Sequence, residues 1–332
     1  MEHRFARHHV LPEVGPEGQA RLGNGRVLVV GCGALGTHTA EALLRAGVGH
    51  LILVDRDIVE VHNLHRVSLF TPAELGQPKA WAAADKLRAI APHAVVEPLV
   101  AHFDGELAEE WVPKVDAVVD GLDNMETRYL LNDACVKHRI PYVYTAVLAT
   151  YGMTMPIVPE KGPCLRCVFP QPPAPGELPT CAQAGILGPV PKALAAVQAA
   201  TAIQILTASP DLRPGELFYL DLWTKRTQVV EMQRSRSCPS CGHRDFEFLR
   251  QQPGTALLCG DVVQVRPRRR GELDLAGLAQ RLAPLGKVRL SHGLLFFEAG
   301  EARFVVFPDG RALVHGVNSP ERAQSLYDQY IA

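Results

Sequence analysis

Three things are scarce in this chain, and each scarcity removes a class of protein. Cysteine occurs only eight times in 332 residues, too seldom for a disulfide scaffold, and half of these cysteines sit in two CxxC pairs, which favours metal binding or catalysis in a reducing compartment. Net charge is almost absent, because 34 Lys and Arg face 35 Asp and Glu for a formal balance of -1. Bulk electrostatics therefore draw the chain to neither nucleic acid nor an anionic membrane. Long apolar runs are missing as well: none approaches the ~20 residues of a bilayer span, and the opening MEHRFARHHVLPEVG has no signal-peptide core. The expectation is a cytoplasmic protein without membrane contact. With 47% hydrophobic residues and no internal repeat, the chain should form one large core and a smaller satellite.

Short apolar runs alternate with helical segments from about residue 26: RVLVVG, ALGTHTAEALLRAG, HLILVD, AWAAADKLRAIAP, AVVEPLV and VDAVVDG. Continuous apolar strands of this kind belong to a parallel sheet covered on both faces. The predicted fold is α/β, a Rossmann-like, doubly wound and mostly parallel sheet. It occupies residues 1–248, with a Pro-rich crossover loop at about 170–188 and a small C-terminal α/β appendage at 249–332.

VLVVGCGALG sets Gly31, Gly33 and Gly36 in a GxGxxG between a strand and a helix, where bare backbone and a helix N-terminus accept phosphate or ribose. Asp55 ends the next strand, the position of a ribose-binding carboxylate, and Asp57 joins the same candidate set. That pattern alone leaves an NAD- or FAD-dependent oxidoreductase and an ATP-using enzyme equally open. The following VDRDIVEVHNLHRVSLFTPAELGQPKA tips the balance: Asn63, Arg66, Gln77 and Lys79 face the same strand ends, and such cations suit a triphosphate. GLDNMETR adds Asp123, Asn124 and Arg128, with a carboxylate suited to Mg2+. Singly, each charge reads as a solvated loop residue; their clustering at one crevice argues for a site.

Cys164 and Cys167 in CLRC, with Cys238 and Cys241 in CPSCG, form two hooks that together complete a closed, tetrahedral structural zinc site. Cys32, Cys135 and Cys259 read as packing residues. The basic run RPRRRG reads as a solvated turn.

The ordered motifs GCGALG, LVDRDIVEVHNLHR, GQPKA, GLDNMETR, CLRCVFP, TCAQAGILGP and CPSCG resemble the superfamily of molybdopterin-synthase and thiamine-pathway sulfur-carrier adenylyltransferases, which is related to ubiquitin-activating enzymes. The resemblance covers about residues 4–245. It implies ATP-dependent adenylation of the C-terminal carboxylate of a small ubiquitin-like sulfur carrier, with Asp55 on ribose, Asn63, Arg66 and Lys79 on phosphates, and Asp123 on Mg2+. It also implies a homodimer in which Arg7 reaches the partner's site. Cys181, alone in the Pro-rich loop, is a candidate nucleophile toward the acyl-adenylate, or else a small loop residue without a covalent role. A rhodanese-type loop is not visible in the appendage, so sulfur is expected from a separate cysteine desulfurase or rhodanese. Competing readings are an ATP-dependent enzyme acting on a modified tRNA base and a non-catalytic scaffold for a ubiquitin-like partner.

Overall fold

The computed structural model describes residues 4–173, 177, 181–250, 256–257, 262–267, 271–317 and 319–332, which belong to two units, Met1–Gln251 and Gln252–Ala332. In the first unit the strands are β1 (Arg26–Val30), β2 (His50–Asp55), β3 (Val95–Val100), β4 (Ala117–Asp120), β5 (Tyr142–Leu148), β6 (Tyr151–Ile157), β7 (Glu216–Asp221) and β8 (Arg226–Glu231). They form one sheet in the order β3-β2-β1-β4-β5-β6-β7-β8. The first five are mutually parallel, and β6, β7 and β8 extend the sheet antiparallel.

Side-chain alternation explains why such continuous apolar strands are needed. Val27 and Val29 of β1, with Leu51 and Leu53 of β2, enter one hydrophobic cluster, while Leu28, Val30, Ile52 and Val54 enter another. Both faces are therefore covered, and neither parity can be polar. Among the described residues the helices are α1 (Ala6–His9), α2 (Gly15–Asn24), α3 (Ala34–Ala46), α4 (Lys79–Ile90), α5 (Gly105–Trp111), α6 (Met125–His138), α7 (Leu165–Val168), α8 (Cys181–Ala184), α9 (Pro189–Thr207) and α10 (Glu247–Arg250). Helices α2, α3, α4 and α9 feed the first cluster, and α5, α6, α7 and α10 the second.

By length and composition α9 would suit a membrane span, where no apolar run approaching one was expected. It is instead a core helix, packed on α3, with Gln198 fully buried and bonded to Thr39 Oγ1 at 2.6 Å.

The second unit contains β9 (Ala256–Leu257), β10 (Val262–Val265), α11 (Leu275–Leu282), β11 (Lys287–Ser291), β12 (Leu294–Ala299), β13 (Ala302–Val306), β14 (Ala312–His315) and α12 (Pro320–Tyr330). Its antiparallel sheet runs β11-β12-β13-β14-β10-β9. Phe297, Phe304, Val263 and Val314 pack there with Leu278 and Leu282 of α11 and Leu326 and Tyr327 of α12. Each long helix starts on a side-chain cap, Asp274 for α11 and Ser319 for α12, which satisfies otherwise orphaned N–H groups. Cys259 and residues 268–270 of the basic run lie outside the described residues.

In the first unit, β1, α3 and β4 meet as bare backbone. A Cβ on Gly36 would lie 1.8 Å from the Gly31 carbonyl oxygen, and one on Gly121 would lie 2.2 Å from the same atom. Gly36→Ala is therefore expected to destabilise the unit by about 3 kcal/mol or more. Thermal unfolding should show a Tm lower by roughly 6–12 °C.

Candidate nucleotide crevice and cysteine centre

The strand order reverses between β1 and β4, and their carboxyl ends open the crevice where α/β sheets take ligands. Gly31, at φ +97°, turns the chain out of β1, and its N–H donates to Val54 O at 2.8 Å. Gly33 is the exception among the tight glycines: a Cβ there would meet nothing within 4 Å, so this backbone faces open space at the start of α3.

Asp55 ends β2 with its carboxylate held by two backbone N–H groups, Cys32 at 2.6 Å and Asp57 at 2.8 Å. Burial pushes its pKa up in spite of Lys79 nearby. Lys79 opens α4, is buried, and makes an ion pair with Asp57. Burial works against the ammonium charge, but Asp57 and Asp55 outweigh it and push the Lys79 pKa up. Asp57 shows the mirror effect: burial alone would raise its pKa, and the Lys79 charge and hydrogen bond hold it below the usual carboxylate range. Asp123, beyond β4, is exposed to solvent, yet surrounding protein opposes its charge; Arg56, the Asn124 amide and Lys79 reverse that effect and keep its pKa low. Asp55, Asp57, Lys79 and Asp123 thus share one electrostatic environment, in which the Lys79 ammonium favours the charged form of each carboxylate and the carboxylates favour the ammonium.

The remaining sequence candidates divide between facing the crevice and holding its walls. Asn63 is buried and accepts from the Glu60 N–H at 3.0 Å, capping the short turn Val61–Asn63. Arg66, half-buried, reaches back to the His62 carbonyl. Gln77 is half-buried, and its carbonyl receives the Val59 N–H at 2.9 Å. Asn124 caps α6 by accepting from Thr127 N–H at 2.9 Å, and its amide lies 3.3 Å from Asp123 Oδ1. Arg128 turns inward, with Nε 3.0 Å from Asp120 Oδ2 and Nη2 2.6 Å from Leu122 O. Arg7, on α1, is exposed within the protomer.

Residues that the sequence reading passed over include Arg56, whose guanidinium lies 2.9 Å from His102 Nδ1, and the buried polar trio Asp120, Tyr142 and Gln198. The usable signal was a carboxylate closing an otherwise apolar strand, VDAVVD.

Cys181 begins α8, and its side chain lies outside the described residues, as do residues 174–176 and 178–180 of the crossover. The segment that follows is anchored. Leu187 N–H donates to Ala149 O at 2.8 Å, and Gly188 lies against the backbone at His65, where a Cβ would be 2.9 Å from the carbonyl oxygen. The far end of the crossover therefore joins the wall that carries Arg66.

The two CxxC hooks meet as expected from their spacing. Sγ of Cys164 lies 3.5 Å from Cys238 and 3.9 Å from Cys167, and Cys167 Sγ lies 3.4 Å from Cys241. All four sulfurs fall within 4.8 Å of one another and form no disulfide. Tetrahedral zinc with 2.3 Å bonds requires sulfurs about 3.8 Å apart, so this tetrad fits the ion. Asn132 of α6 joins the hooks: its Oδ1 accepts from Leu165 N–H at 2.8 Å and its Nδ2 donates to Ser240 Oγ at 3.1 Å.

Residues 5–240 match the model of the ThiF family. The chain is 39% identical over 342 aligned positions to the sulfur carrier protein ThiS adenylyltransferase of Bacillus subtilis, and the alignment covers 100% of both chains. It is 41% identical to the SAMP-activating enzyme E1 of Haloferax volcanii, over 72% of this chain and 88% of the relative. Among solved structures, E. coli MccB with ATP superposes at a TM-score of 0.63 with 24% identity, over 72% of this chain and 74% of that one, a likeness of fold.

The cysteine centre yields two expectations. Metal analysis of protein kept from chelators should find about one zinc per chain, and Cys238→Ser should bring it close to zero. Asn132→Ala, which removes the link between the hooks, should weaken zinc retention against a competing chelator by roughly 10- to 100-fold.

Proposed function

The chain belongs to the ThiF family, and from that premise we propose that it uses ATP to adenylate the C-terminal carboxylate of a small ubiquitin-like sulfur carrier of the ThiS type. The observation that carries this reading is the charge arrangement at the β1/β4 switch point, where Lys79, Asp57, Asp55 and Asp123 share one environment beside an open Gly33 backbone. The carrier's class is supported by the end-to-end match to a ThiS adenylyltransferase, which spans the second unit as well.

In this mechanism Asp55 accepts from the ribose hydroxyls, and the N–H groups at the start of α3 meet the phosphates. Asp123, held by the Asn124 amide, supplies hard oxygen donors of the kind Mg2+ takes. Bound there, that ion would neutralise triphosphate charge. A carboxylate oxygen of the carrier's last residue attacks the α-phosphorus, the bond from that phosphorus to the bridging oxygen breaks, and pyrophosphate leaves, giving the acyl-adenylate. Little covalent work falls to the protein, so alignment and charge neutralisation dominate. Lys79, kept protonated by its carboxylate neighbours, and Arg66, able to swing from the His62 carbonyl, offset the charge moving onto pyrophosphate. Gln77 and Asn63 hold the loop that presents them.

Arg7 completes the set in a homodimer, entering the partner's crevice. Its setting supports this role, because the neighbouring Val10 and Leu11 are 73% and 45% exposed in the protomer, an apolar surface suited to a second subunit. Cys181 then stands on the crossover as the candidate acceptor of the acyl group, with sulfur delivered by a separate cysteine desulfurase or rhodanese. The zinc tetrad ties the crossover's start to the segment after β8 and has no part in the chemistry. Free thiols among the described cysteines suit the cytoplasm.

ATP–pyrophosphate exchange tests the reading. Exchange should require a ThiS-type carrier with its intact terminal glycine; absence of exchange with every ubiquitin-like carrier of the cell, despite ATP binding, would exclude it. Arg66→Ala should lower exchange by about 100-fold with Tm and carrier binding unchanged, since its side chain carries little of the fold.

A further inference from the structure

Arg128 has a different task from the one its place in the GLDNMETR motif suggests. Its guanidinium is buried at the carboxyl end of β4 and paired with Asp120, which is itself fully buried. Asp120 Oδ2 accepts from Arg128 Nε at 3.0 Å and from the Tyr142 hydroxyl at 2.6 Å. Asp120 Oδ1 accepts from the Leu122 N–H at 2.9 Å. Arg128 Nη2 donates to the Leu122 carbonyl at 2.6 Å and to Thr145 O at 3.0 Å. One ion pair thus grips Leu122 at both its N–H and its C=O, and Thr145 links the grip to β5. From the other sheet face, Gln198 Nε2 donates to Asp120 O at 2.9 Å and Val143 O at 3.2 Å.

A buried ion pair is an inefficient way to hold two strands together, since well-packed apolar side chains of similar volume do as well or better. What apolar side chains cannot supply is directional hold on the two peptide groups that flank one residue at the carboxyl end of a strand. Leu122 directly precedes Asp123, and Gly121 is in backbone contact with Gly31. The position of that one residue therefore sets both the metal-facing carboxylate and the loop that receives phosphate.

We infer that Arg128 is a positioning residue, which with Asp120 and Tyr142 clamps the backbone on both sides of Leu122 and thereby aims Asp123 at the metal–triphosphate complex. The inference rests on the functional reading above, specifically on Asp123 as the Mg2+ carboxylate. Arg128→Lys keeps the charge and removes the fork; Tyr142→Phe removes one hydroxyl and leaves the ring packing, so it serves if the first variant does not fold.

The test is calorimetric ATP binding by the full chain with and without Mg2+, alongside Tm. Wild-type protein should bind ATP more tightly with Mg2+. In Arg128→Lys that enhancement should shrink by about tenfold, and in Tyr142→Phe by about threefold, while affinity for metal-free ATP stays within about twofold. Loss of metal-free ATP affinity by about tenfold with the Mg2+ enhancement intact would make Arg128 a nucleotide ligand and overturn the inference. A lower Tm with both affinities unchanged would reduce the clamp to a structural role and overturn it equally. Wild-type protein that binds ATP without any Mg2+ effect would refute Asp123 as the metal carboxylate, a failure of the functional reading that the wild-type measurement alone reveals.

Discussion

Backbone-to-backbone contact at the β1/β4 switch point is the constraint on which the rest of the first unit depends. Gly31, Gly36 and Gly121 bring the glycine loop, the first turn of α3 and the exit of β4 closer together than any side chain would permit. Two parallel strands whose next neighbours lie in opposite directions leave a crevice at their carboxyl ends, and this packing sets its floor. Gly31 must also adopt a positive φ, which glycine alone does at low cost. The loop thus has two independent reasons for its composition, one steric and one conformational.

Around that floor the protein gathers charges that are costly to bury singly and acceptable together. Lys79 and Asp57 pair, Asp55 takes two N–H donors, and Asp123 keeps access to solvent. Removing either partner of such a pair leaves an uncompensated buried charge, so the arrangement holds itself in a polar, pre-oriented state before any ligand arrives. Preorganised charge of this kind stabilises a reacting phosphate more effectively than water, which would have to reorient. The Asp120–Arg128 clamp extends the same logic to the backbone, since apart from the Arg128 Nη1 contact with Met125 Sδ at 3.9 Å its outward bonds end on peptide groups or on Tyr142.

The cysteine tetrad answers a separate difficulty, that of anchoring a long excursion of chain. Cys164 and Cys167 lie after β6, at the entrance to the crossover, whereas Cys238 and Cys241 follow β8. Asn132 on α6 touches both hooks, so the centre is joined to the helix that Asn124 caps beside Asp123. The helix is thereby fixed at its N-terminus by the switch-point loop and along its length by the cysteine tetrad.

Local pattern alone determined much of this protein. The parallel sheet was legible because strands buried on both faces need unbroken apolar runs, and RVLVV and HLILVD can form little else. The meeting of Cys164, Cys167, Cys238 and Cys241 in one tetrad was legible because two residues between thiols suit one tetrahedral ion. The places of Gly31, Gly33 and Gly36 between β1 and α3 and of Asp55 at the end of β2 were legible from their spacing. The tertiary structure decided what spacing cannot carry. Arg128 and Lys79 look alike in sequence, each a cation near a helix start, yet Arg128 turns to Asp120 and Lys79 to Asp57, because side-chain direction depends on what the neighbouring strands bring opposite. Asp120, Tyr142 and Gln198 were passed over for the same reason: they are 22 and 78 residues apart along the chain in their contacts, and no local pattern records a partner that distant.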